Sequence, residues 1–245
     1  MNLMLIECAD AQLLLPRDDP RAKHVRDILH MHPGDRFDVG ALNGPRGKAL
    51  IQRDDTKGMA LSLEWGALPR PALPISLVIG LSRPQTMRKI LREAPALGVA
   101  SLHIARCARS EPSYASSSLW TSTEWRDLLL LGTEQAFTTH LPSLTQYDSL
   151  GAALDALQGV PNRIALDNYE ATLPMARWQA ADTGTDTALC IGPERGWDGP
   201  ERDLLRERSY TLAHLGPLVL RTETAMIAGT ALVAAALGQW DELGA

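Results

Sequence analysis

Apolar and polar positions change rhythm once along this chain. Up to residue 65, short apolar runs at residues 3–8, 36–39, 48–52 and 59–65 predict β-strands. The stretches "HPGD", "NGPRG" and "DDTKG" separate them and supply the Gly, Pro, Asn and Asp that turns favour. One helical repeat over residues 21–31 interrupts the series and places Val25, Ile28 and Leu29 on one face. Short strands around a single helix predict a small β-barrel domain over residues 1–68.

From residue 75 onward the runs lengthen. "ISLVIGL", residues 75–81, is apolar at nearly every position, the pattern of a strand covered on both faces. A helical period follows through Met87, Ile90, Leu91, Ala94 and Leu97 and stops at Gly98, which suits the left-handed turn that ends helices. "SLHIA", "RIALD", "TALCI" and "YTLAHL" predict further strands, with helices near residues 120–135, 148–158, 198–208 and 222–240. Such alternation predicts an α/β domain over residues 75–245, a mostly parallel sheet with helices on both faces. Between the halves, the prolines of "GALPRPALP", residues 66–74, restrict the backbone and remove donors, as in a stiff linker.

Composition narrows the class. The 245 residues are 45% apolar and 22% charged, which is globular. No run nears the roughly 20 apolar residues that cross a bilayer, and Glu7 and Asp10 stand early where a leader would be basic. Cys8, Cys107 and Cys190 are widely spaced, as expected of reduced thiols in a cytoplasmic protein. His24, His30 and His32 fall on different sides of a predicted helix end, so no metal site is expected. The net charge of −5 argues against a broad non-specific nucleic-acid binder but leaves room for a local basic face.

Ligands of open α/β sheets bind beyond the carboxyl ends of the strands. Two loops have that placement, "IGPERG" after "TALC" and "LGPLVLRTETA" after "YTLAH". Each holds a Gly-Pro pair that bends the chain and exposes peptide groups, which suits a ligand recognised through backbone atoms. Each also suits an ordinary turn. Asp198 and Glu201 fit a capping box for the helix that follows. The last helix is apolar on nearly every face, so burial in a core or against another subunit is expected, with Arg221 and Glu223 at its mouth. Salt bridges or substrate contact would account for those two. Arg83, Arg88, Lys89 and Arg92 cluster at a strand-to-helix junction, and Arg106 and Arg109 follow the next strand. They form either a surface that neutralises phosphates or a solvated helix face. No phosphate-loop, dinucleotide-fold or nucleophile-elbow motif is present.

Taken together, "IGPERGW" and "LGPLVLRTETA" resemble the two C-terminal cofactor loops of the RsmE-like RNA methyltransferases of the SPOUT superfamily. In that family the loops read Ile-Gly-Pro-Glu-Gly-Gly and Leu-Gly-x-x-Ile-Leu-Arg-Thr-Glu-Thr-Ala. "RPQTMRKILREAPALGV" is similar to the family's basic strand-to-helix stretch, "ARSEPSY" to its arginine–serine loop and "GTEQ" to its Glu-Gln helix. "HVRDILHMHPGD" is similar to the signature of its N-terminal PUA-like barrel. Order and spacing agree along nearly the whole chain.

The resemblance implies an α/β fold with a SPOUT-type sheet, a C-terminal trefoil knot and a small PUA-like, RNA-binding β-barrel ahead of it. It implies a homodimer, S-adenosylmethionine as cofactor, and methylation of uridine N3 in small-subunit ribosomal RNA. Carried over by position, Leu166, Asp167, Ile191, Gly192, Pro193, Glu194 and Gly196 would hold the cofactor, joined by Leu215, Gly216, Leu218, Leu220, Thr222 and Ala225. Arg221 would stabilise charge on the base, and Glu194 or Glu223 would accept or orient its proton. Arg26, Arg83, Arg88, Lys89, Arg92, Arg109, Ser110 and Arg195 would face the RNA.

Several positions depart from the family. Arg195 replaces the second glycine of the middle loop, Ala96 a glutamate, Arg88 an acidic residue, Leu218 a frequent arginine and His30 an arginine of the barrel. Ala136, Phe137 and Thr138 stand where the family has Cys-Gly-Arg. Most of these lie on the expected RNA side. Two other outcomes therefore stay open: the same chemistry on a different RNA, or an RNA- or ribosome-binding protein without catalysis. Arg195 poses a local test, because a glycine that needed positive φ could not become arginine without strain.

Overall fold

The computed structural model describes residues 3–69, 71–181 and 184–240; Arg70, within the expected linker, lies outside them. The chain divides into two compact units, Met1–Pro71 with Thr133–Leu141, and Ala72–Gly132 with Pro142–Ala245.

The first unit is a five-stranded sheet ordered β1 (Met4–Ile6), β3 (Arg36–Ala41), β4 (Arg46–Asp55), β5 (Gly58–Trp65) and β2 (Gln12–Leu15). Strands β1 and β3 run parallel and the other pairs antiparallel. Alternate strand residues, among them Phe37, Val39, Ile51 and Leu61, enter one core with Leu15, Ala22 and Val25. At about 1.5–3 kcal/mol for each large apolar side chain, that core is the unit's main support.

The helix predicted over residues 21–31 is not continuous. Helix α1 (Pro20–Lys23) starts on Asp19, whose carboxylate accepts from Arg21 N, and then widens into a π-type turn over His24–Ile28. The chain leaves that turn at His30 with φ 52°. The wider turn rotates the following residues, so Val25 is buried while Ile28 is 65% exposed.

The apolar pattern also gives no sign of where residues 133–141 go. They follow helix α3 (Ser118–Thr121) and most of α4 (Glu124–Gln135), yet belong to the first unit, so the domain expected at residues 75–245 is interrupted. Leu3 N donates to Glu134 O, Asn43 N to Thr139 O and Leu141 N to Asn43 Oδ1, at 2.8–3.1 Å. The buried Thr139 donates its hydroxyl to Gly44 O at 2.7 Å.

The second unit holds seven parallel strands ordered β10 (Leu173–Pro174), β12 (Thr211–His214), β9 (Asn162–Leu166), β11 (Thr187–Ile191), β6 (Leu73–Gly80), β7 (Val99–Ala105) and β8 (Ser143–Tyr147). Strands β11 and β6 are central, which explains their unbroken apolar runs. Alternate residues face opposite helical layers. Ala188 and Cys190 join Leu154 of α5 (Leu150–Ala156) and Leu205 of α6 (Gly199–Glu207), whereas Leu189 and Leu166 meet Gly229 of α7 (Thr222–Ala236). Helix α2 (Pro84–Glu93) packs beside α7 and buries Met87, Ile90 and Leu91. Gly98 closes its C-terminal extension with φ 75°, as predicted. Helix α7 stops at Ala236 rather than 240, and it is not covered all round, since Ile227 and Ala235 are exposed. Burial pushes the Cys107 and Cys190 thiols far above their ordinary range, so both are packing groups. Among the described residues no helix is long and apolar enough to cross a membrane.

Candidate functional site

Strands β12, β9 and β11 are neighbours, so the loops that leave their carboxyl ends, residues 215–221, 167–170 and 192–198, are neighbours too. Together with the start of α7 they enclose one cleft. Its lining includes every residue expected to hold a cofactor, from Leu166 and Asp167 through Ile191, Gly192, Pro193, Glu194 and Gly196 to Leu215, Gly216, Leu218, Leu220, Thr222 and Ala225. Val219, inside the third expected loop, lines it too, as do Asn168, Tyr169, Trp197 and Ala213, which were not anticipated. Their signal was available: each is within two residues of an anticipated position.

The middle loop is shaped by contacts that tolerate little change. Gly80 ends β6 against Pro193, and a Cβ there would fall 2.4 Å from Pro193 Cδ. Gly196 takes φ 65°, and its N donates to Pro193 O at 2.8 Å. Arg195 is absent from the left-handed region, so arginine in place of glycine strains nothing. Trp197 is buried, and its indole Nε1 donates to Leu166 O at 3.0 Å, tying this loop to the end of β9. The expected capping box forms: Glu201 N donates to Asp198 Oδ1 at 2.8 Å, and Asp198 N to Glu201 Oε2 at 3.0 Å. The other oxygen of Glu201 accepts from Ala108 N at 2.8 Å.

Charges near the cleft are largely committed. Asp167 is buried and paired with the buried Arg202, and it accepts from Tyr169 N at 2.5 Å and Glu170 N at 3.0 Å. Burial penalises its charge, yet Arg202 and the two backbone donors outweigh this and hold the carboxyl below its ordinary value. Glu194 accepts from Arg83 N at 3.1 Å and meets the Arg83 guanidinium at 3.6 Å. Glu223 meets Lys89 at 2.8 Å; although burial opposes it, that ammonium holds its carboxyl below the usual range, which weakens it as a proton acceptor. Glu223 and Arg221 do not line the cleft. Arg221 caps α7 through its backbone, and its side chain makes no hydrogen bond or ion pair with any described residue.

The residues expected to face RNA divide in the same way. Arg88 is paired with Glu124 at 2.5 and 3.0 Å. In the first unit, Arg26 makes two 2.7 Å bonds to Asp54. Arg109 donates to Arg195 O at 2.6 Å, and the Ser110 hydroxyl donates to Leu81 O at 2.7 Å. Arg92 and Arg195 are exposed, and their side chains bond to no described residue. Among the described residues no cluster of His, Cys, Asp or Glu could hold a metal ion.

Residues 69–234 match the family model described as the RNA methyltransferase domain. The chain is 31% identical over 249 residues to the ribosomal RNA small subunit methyltransferase E of Treponema pallidum, covering 98% of this chain and 93% of that protein. The chain belongs to the RsmE-like RNA methyltransferase family. A second relative, the ribosomal RNA small subunit methyltransferase E 1 of Borreliella burgdorferi, is 24% identical across 97% of this chain and 99% of its own. This RNA methyltransferase also shares its fold with the ribosomal RNA small subunit methyltransferase E of Neisseria gonorrhoeae, solved bound to S-adenosyl methionine. The TM-score there is 0.80 at 18% identity, over 96% of this chain and 97% of that one. The methyltransferase match spans the cleft and all three of its loops.

Proposed function

We propose that this RNA methyltransferase transfers a methyl group from S-adenosylmethionine to N3 of a uridine in small-subunit ribosomal RNA. The observation that carries the reading is the cleft itself, in which three strand-end loops bring every anticipated cofactor residue to one place. The lining fits the cofactor chemically. Peptide groups around Gly192, Gly196 and Gly216 suit the polar edges of an adenosyl group, and Ile191, Leu215, Leu218 and Ala225 suit its apolar faces.

When bound, S-adenosylmethionine supplies a methyl group on a positively charged sulfur. Uridine N3 carries a proton, so the protein must let that proton leave and steady the negative charge that forms on the base. Arg221, adjoining the lining residues Leu220 and Thr222 and near enough to Glu223 to help lower its carboxyl, but in no hydrogen bond or salt bridge with a described residue, is suited to hold that charge. Both carboxylates meet a cation, Glu194 that of Arg83 at 3.6 Å and Glu223 that of Lys89 at 2.8 Å, but only Glu194 lines the cleft, so Glu194 is the better acceptor or orienter of the proton.

The same reading carries a trefoil knot in the C-terminal loops, a PUA-like RNA-binding role for the first unit, a homodimer and a cytoplasmic location. The knot is supported by the family membership, and the dimer by Leu218 and Val219 at the cleft and Ile227 on α7, apolar residues that stay exposed. The test incubates the purified protein with labelled S-adenosylmethionine and small ribosomal subunits, or their free RNA, and identifies the modified nucleoside. 3-Methyluridine is expected. A different methylated nucleoside overturns the atom, and no methyl transfer overturns the activity.

A further inference from the structure

We propose that Tyr169 is a stacking platform for an unpaired base of the RNA substrate at the rim of the cleft, an inference that rests on the RNA methyltransferase reading above. Tyr169 lines the cleft yet is 68% exposed. Exposure of this kind usually goes with mobility, but here the side chain is held from below. Its backbone N donates to Asp167 Oδ1 at 2.5 Å, and its ring centroid lies 5.1 Å from the Arg202 guanidinium carbon. Arg202 cannot swing away, because it is buried, paired with Asp167, and reaches Glu170 at 3.4 Å. A cation beneath one face therefore fixes the ring.

Folding asks for no such arrangement. A large ring left in water gives up burial energy, and fixing it costs side-chain entropy. An aliphatic side chain would cover Arg202 as well. The combination is useful where an aromatic face must be ready for a partner.

The neighbours say which partner. Tyr169 Cε2 lies 3.5 Å from where a Cβ on Gly196 would sit, so the ring is beside the middle loop. The residue before Gly196 is Arg195, exposed and lining the same cleft, with a side chain that bonds to no described residue. An aromatic face next to a free guanidinium is how single-stranded RNA is held, base on ring and phosphate on cation. Uridine N3 lies on the pairing edge, so a base methylated there must be unpaired, and a ring at the rim can receive it or its neighbour. The cofactor's adenine is the other nucleobase to consider. It suits the aliphatic and peptide-lined floor at Ile191, Leu215 and Ala225 better than an exposed rim beside a cation.

The test compares wild type with Tyr169→Ala, Tyr169→Leu and Tyr169→Phe. Affinity for in-vitro-transcribed small-subunit ribosomal RNA is read by filter binding without cofactor, and S-adenosylmethionine affinity is read by calorimetry. Tyr169→Ala and Tyr169→Leu are expected to weaken RNA binding about tenfold, with Tyr169→Phe near wild type, since stacking needs the ring and not the hydroxyl. Cofactor affinity should stay unchanged. RNA affinity that survives in Tyr169→Leu overturns the proposal. So does a loss confined to S-adenosylmethionine binding, which would assign the ring to adenine. Should Tyr169→Ala fail to fold, Tyr169→Leu, which still covers Arg202, carries the test. Because RNA binding is read without turnover, absent methyl transfer by wild type would count against the activity alone.

Discussion

The floor of the cleft is made of peptide groups and small or aliphatic residues, whereas its surroundings are rich in charge. The two regions differ in how available they are. The floor offers its backbone directly, with Gly192, Gly196 and Gly216 keeping side chains out of the way. Around it, Arg83 is held by Glu194, Arg88 by Glu124, Lys89 by Glu223, and Arg109 by a carbonyl, while the side chains of Arg92, Arg195 and Arg221 make no hydrogen bond or salt bridge with a described residue. Basic residues counted along the sequence therefore overstate the charge that RNA can meet.

The largest effect is expected beneath this contrast, at the buried ion pair that supports the cleft wall. Asp167→Asn leaves Arg202 charged and buried with only the 3.4 Å ion pair to Glu170, and should lower stability by about 3–5 kcal/mol in urea unfolding. The pH dependence follows from the lowered carboxyl. Its stabilisation is complete above the unfolded aspartate value of about 3.9 and is lost as pH falls through the lower folded value. Wild type should therefore lose stability in that acid range, and the variant should lack this component. Equal stability of the two at neutral pH would show that the pair contributes nothing.

Next comes Arg221→Ala. It should lower kcat roughly 10²–10³-fold while the melting temperature holds. Wild-type turnover would remove Arg221 from the chemistry. Gly80→Ala should follow, as a methyl group driven into Pro193 costs about 1–3 kcal/mol and displaces the middle loop. Calorimetry should register weaker S-adenosylmethionine binding, and unchanged affinity would mean that the loop shifts freely. The smallest effect separates free from paired cations. Arg195→Ala should reduce the slope of log affinity for RNA against log salt by about 1, and Arg88→Ala should leave it unchanged. Equal slopes in the two variants would break the distinction between free and committed charge.

How much of this was legible depended on the range of the interaction. The cleft loops were readable because Gly-Pro pairs after apolar strands constrain the backbone locally, and the capping box at Asp198 and Glu201 is set by residues three apart. The rim was only half readable. Arg88 shows its charge in the sequence, but its partner Glu124 lies 36 positions away. Strand β8 carries mostly exposed residues such as Ser143, Thr145 and Gln146, so it has no apolar alternation to betray it and exists through pairing with β7. Strand β2 is an edge strand of four residues, likewise made by its pairing with β5. The π-type turn at His24–Ile28 kept an apolar repeat while rotating Ile28 outward, so a helical period misjudged that face.

The return of residues 133–141 to the first unit has a consequence for synthesis and for evolution. The chain changes unit three times, after positions 71, 132 and 141. A fragment cut at the proline-rich linker would lack the residues that bond to Leu3, Asn43 and Gly44. The N-terminal unit is therefore no cassette to be shuffled onto another enzyme by a single crossover. During translation it waits, incomplete, until the first helices and strands of its neighbour have left the ribosome.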